Sequence, residues 1–200
     1  MRTFITENFA RLSLFIQGCP YYENTLPEQF AVIMTYNGVF LYTFMLVIAV
    51  YDRSLFHIIA WTGVAFTSMT VSVLEAYVPL VKNTSSLCTS REVDMPSTDV
   101  AIVTFVIVFY LIFDLFMGSR RIWISFFRFT WFLWLYTTTV GSMLYLLLYD
   151  MREIAASTVV GAFVGALVAT FTTLVVVPNL DTPVMGKVCS FLMVDNRRMR

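Results

Sequence analysis

Three polar stretches stand where long apolar runs begin or end: Glu75 to Asn83, Asp94-Met95-Pro96-Ser97-Thr98-Asp99, and Ser142 to Glu153. They offer the carboxylates Glu75, Asp99, Asp150 and Glu153, the ammonium of Lys82, the hydroxyls of Ser97 and Ser142, and the phenol of Tyr149. A metal site on Glu75, Asp99 and Glu153 is poorly provided, because hard cations take more oxygen ligands than these supply. An aspartyl nucleophile at Asp99 or Asp150, with Lys82, Arg91 and Arg152 gathering a phosphate, is chemically possible but is selected by no spacing. The simplest role of Pro96-Ser97 is structural: proline suits the first turn of a helix, and serine caps it. No cofactor is implied.

The remaining reactive side chains are few. Cys19, Cys88 and Cys189 make no close pair and no metal-ligand spacing, and His57 is the only histidine. A zinc site or a serine–histidine triad would have to recruit that one imidazole.

Composition places these residues at a membrane. The chain has 200 residues, of which 58% are hydrophobic and 13% charged. Soluble domains carry about 25% charge. Mean hydropathy is +0.77, and the formal net charge is zero, which leaves no electrostatic footprint for nucleic acid. The expected class is an all-α integral membrane protein.

Residues 1–18 place Ile5, Phe9, Leu12 and Ile16 on one helical stripe, with Arg2, Glu7, Arg11 and Gln17 off it. That pattern predicts an amphipathic helix lying in the interface, stopped by Gly18-Cys19-Pro20. Glu7 and the broken apolar core argue against a cleaved leader. Five apolar runs follow, near 30–50, 55–80, 99–118, 122–148 and 154–177, each close to the about 20 residues a bilayer core requires. The organisation read from this is an N-terminal interfacial segment over 1–29, a transmembrane bundle over 30–178, and a surface-lying tail over 179–200.

Five spans put the N-terminus and the loops at 81–98 and 149–153 on one side. The turns at 51–54 and 118–122 and the C-terminus fall on the other. The second side carries more basic residues near span ends (Arg53, Arg120, Arg121, Lys187, Arg197, Arg198, Arg200) and is expected to be cytoplasmic. Charges inside spans need partners, and Asp114 and Arg128, at similar depth, are expected to form a helix-registering ion pair. His57 is expected at headgroup level. Gly161-x3-Gly165 permits close helix packing, by default within the chain. The aromatic face of the fourth run (Phe126, Phe127, Phe129, Trp131, Phe132, Trp134) suits lipid or a partner helix.

The polar stretches carry a resemblance. Membrane phosphatases of the phosphatidic-acid-phosphatase type (PAP2) bear Lys-x6-Arg-Pro after one span, Pro-Ser-x-His opening the next, and Ser-Arg-x5-His closing the one after. Met95-Pro96-Ser97, Ser142 to Tyr149 and the glycine-bearing Gly161 to Ala166 resemble the dolichyl-diphosphate phosphatases of the endoplasmic reticulum. So do Tyr51 to Leu55 and, in the tail, Ser190-Phe191-Leu192 with Asp195. The likeness covers about residues 30–195 and implies a PAP2-like bundle.

It also implies what is missing. Glu75 stands at the motif lysine, Lys82 at its arginine and Asn83 at its proline. Asp99 stands at one histidine, Met143 at the second arginine and Tyr149 at the other histidine, while Pro96, Ser97 and Ser142 remain and Glu153 follows. In the family one histidine attacks phosphorus, the other protonates the leaving group, and the cations neutralise phosphate oxygens. With both imidazoles gone and Glu75 and Asp99 added, such a cavity repels a diphosphate.

The expectation is a catalytically inactive subunit of a larger membrane complex, partnered by lipids and other subunits. The alternative is a divergent polyprenyl diphosphate phosphatase with a rebuilt site. The resemblance points to the endoplasmic reticulum, with the mitochondrial inner membrane as alternative. Asn83-Thr84-Ser85 matches the glycosylation acceptor pattern. An unmodified Asn83 near Glu75 and Asp99, with Lys82 neutralising one carboxylate, is expected instead.

Overall fold

The computed structural model describes residues 26–77, 97–117, 122–146 and 148–179. Among these residues the regular structure is helical: α1 (Leu26–Thr35), α2 (Asn37–Asp52), α3 (Leu55–Tyr77), α4 (Thr98–Met117), α5 (Ile122–Tyr145) and α6 (Met151–Phe171). A π-helical turn (Thr172–Val176) and a 3-10 turn (Val177–Asn179) prolong α6. The amphipathic segment 1–18, Lys82, Asn83, Cys88, Arg91, Asp94 to Pro96 and the tail from residue 180 lie outside the described residues, as does the side chain of Glu75.

α4 is the centre of the bundle. It is apolar all round, the pattern of a helix buried on every side. Val100, Ala101, Val103, Phe105 and Phe109 are fully enclosed. Phe105, Phe109 and Phe113 form a stack along it, with centroids 5.7 and 6.4 Å apart, and Phe56 of α3 lies 4.3 Å from Phe113. α2, α3, α5 and α6 pack around it. The closest approach is to α6, where Gly161 and Gly165 leave no room for a side chain. A Cβ at Gly165 would come within 2.9 Å of the Phe105 carbonyl oxygen, and one at Gly161 would collide with that of Ala101. The expected small-residue packing is therefore present and lies within the chain.

The helices alternate in direction. The start of α2 meets the start of α4 (Val39 to Asp99), and the start of α4 meets the end of α5 and the start of α6. At the opposite end Leu55 packs near Val176, and Asp114 meets Arg128.

Leu55–Leu74, Thr98–Phe116 and Met151–Asn179 are long and apolar enough to cross a membrane. The two other expected spans differ from the sequence reading. The run expected over 30–50 is two helices, broken at Tyr36 (φ −92°, ψ 13°). Thr35-Tyr36-Asn37-Gly38 are weak helix formers, and the Tyr36 amide tightens onto Ile33 O at 3.2 Å in a 3-10 manner. The remaining α2 has 16 residues, about 24 Å at 1.5 Å per residue, short of a core of about 30 Å. α5 has 24 residues, but Ser125, Arg128, Thr130 and Thr137 to Thr139 dilute its apolar character. Helix ends move too: α5 stops at Tyr145 rather than 148, and α6 begins at Met151 rather than 154.

The outer surface is apolar. Phe40, Phe44, Phe66, Met69, Leu115, Phe127, Phe163 and Leu167 are each more than half exposed. Hydroxyls on these outer faces turn back on their own helices: Thr43 to Val39 O, Thr62 to Ile59 O, Thr130 to Phe126 O and Thr137 to Trp134 O, at 2.9–3.0 Å. Back-bonding of this kind satisfies a hydroxyl where no water is present.

Candidate functional site

The polar residues singled out around residues 97–99 and 142–153 converge where α4 and α6 begin and α5 ends. Ser97 is the cap of α4: its hydroxyl oxygen accepts the Val100 amide at 3.4 Å, as its sequence position predicts. The same hydroxyl donates to Met143 Sδ at 3.5 Å. The Ser97 amide donates to Ser157 Oγ at 2.6 Å, and that hydroxyl donates to the Glu153 carbonyl at 2.6 Å. Ser97, Met143 and Ser157 are fully enclosed, and Ser142 and Glu153 nearly so.

Met143 sits in a small apolar cluster with Val100 and Ile154, lined by Tyr136, Val140, Leu144 and Tyr149. The position where the resemblance places a phosphate-clamping arginine is thus filled by a thioether in apolar surroundings. Tyr149 belongs to that packing, in the short turn between α5 and α6.

Glu153 has a local task. Asp150 is the cap of α6, accepting the Met151 amide at 2.8 Å, and the Asp150 amide donates to Glu153 Oε2 at 2.7 Å. This is a reciprocal capping box, written in the chain as Asp150-x-x-Glu153.

Asp99 has a partner that the sequence did not show. Its carboxylate reaches α2, accepting the Val39 amide at 3.1 Å and the Gly38 amide beside it. The free amides and dipole of a helix N-terminus are a natural seat for a carboxylate. The break at Tyr36 exposes those amides; the expected contact of Lys82 with Glu75 or Asp99 lies outside the described residues. Gly38 is required there, since a Cβ would lie 2.5 Å from Asp99 Cα and from Oδ1. Asn37 ties the same break to α5, donating to Thr139 Oγ1 at 2.9 Å.

Asp99→Ala leaves two α2 amides without their acceptor and is expected to lower stability by about 1–2 kcal/mol. Asp99→Asn, which keeps an acceptor oxygen, should recover most of it. Thermal unfolding in detergent measures both. An alanine variant as stable as the parent would show that the carboxylate does not hold α2.

Ser157 was missed by sequence reasoning. Its signal was the spacing Ser157, Gly161, Gly165, which extends the small-residue stripe facing α4 by one turn. His57 lies at the opposite end of the bundle, its Nδ1 3.4 Å from Asp52 Oδ2. The expected pair of Asp114 and Arg128 is present at 3.4 Å.

The arrangement has no imidazole within reach of Ser97 or Asp99 among the described residues. Asp99 and Asp150 are already engaged with backbone amides. No protein-family model, curated protein or solved structure matches this chain.

Proposed function

We propose that this chain is a catalytically inactive membrane bundle of PAP2-like build, serving as a structural or lipid-contacting subunit of a larger membrane complex. The observation that carries the reading is Met143. It stands enclosed where Ser97, Ser157 and the first turn of α6 meet, and it puts a thioether where the resemblance places a phosphate-clamping arginine. The capping role of Glu153 and the tie from Asp99 to α2 support the same view: polar groups at this end stabilise helix ends.

In this reading α1 with α2 make one crossing and α3 to α6 the other four. The motif end faces the lumen of the endoplasmic reticulum, and the outward rings face lipid or partner helices.

The purified protein is expected to release no phosphate from polyprenyl diphosphate or phosphatidate. In mild detergent it is expected to co-purify with other membrane subunits in fixed stoichiometry. Turnover abolished by Asp99→Asn or Asp150→Asn would overturn the reading in favour of a divergent phosphatase with a rebuilt aspartyl site.

A further inference from the structure

We draw no further inference here: the strongest candidate, the outward face of α5 along Thr130, Trp134, Thr137 and Gly141, carries none, because nothing in the structure shows what covers it.

Discussion

Gly161→Leu is expected to lower the stability of the bundle sharply. At this position even a single carbon collides with the Ala101 carbonyl and comes within 2.9 Å of Thr104 Cβ. The carbonyl is backbone within α4 and cannot swing aside, so α4 and α6 must separate. Separation also pulls on the contacts that Val164 and Ala169 make in the central core and on the Ser97–Ser157 bond one turn beyond. Overpacking costs typically about 1–3 kcal/mol, and leucine against backbone belongs at or above the upper end. Against a total stability of about 5–15 kcal/mol, that is enough to shift the population. Gly141 is the control. A Cβ there meets nothing within 4 Å, so Gly141→Ala should be neutral or gain up to about 1 kcal/mol from helix propensity alone. Unfolding temperature and gel-filtration profile in detergent read both. A monodisperse Gly161→Leu protein with the parent's unfolding temperature would mean that α4 and α6 do not meet through this glycine.

Met143→Arg is the second large effect. It restores the residue type that the PAP2 resemblance places there, and it should damage the protein rather than activate it. Met143 is fully enclosed beside Val100 and Ile154. The nearest carboxylates in sequence, Asp150 and Glu153, are already engaged in the α6 capping box, Asp150 accepting the Met151 amide and Glu153 the Asp150 amide. A guanidinium buried without a free partner costs about 3–5 kcal/mol. Met143→Leu, which keeps volume and apolarity, should cost less than about 1.5 kcal/mol. Both are scored by thermal unfolding, with phosphate release assayed in parallel. Stability of Met143→Arg at the parental level, or its stabilisation by added phosphate, would mean that this end holds an anion cavity. The inactive reading would then fall.

How much of this was legible beforehand depends on the range over which each feature is specified. The apolar runs that became α3, α4 and α6 were readable because length and hydropathy are local and additive along the chain. Ser97 as a cap and Gly161 with Gly165 as a packing stripe were readable for the same reason, each being a pattern within two turns of one helix. The pairing of Asp114 with Arg128 followed from a rule of cost: a charge at depth needs an opposite charge at the same depth. The Asp150-x-x-Glu153 box was present in the letters too, since both partners lie within one turn of one helix.

What the tertiary structure alone decided lies in bonds between residues far apart. The break at Tyr36 divides an apolar run that hydropathy reads as continuous. It is held by Asn37 on Thr139 and by the Gly38 and Val39 amides on Asp99. The weak helix formers Thr35 to Gly38 permit a break there, but the acceptors that hold it belong to α4 and α5. The same bonds turned Asp99 from a candidate site carboxylate into the cap of another helix. Ser97, Met143 and Ser157 were brought together only by the alternation of the helices and by the closeness that glycine allows between α4 and α6. Residue types settled which segments become helices; the approach of those helices settled which polar groups have work left to do.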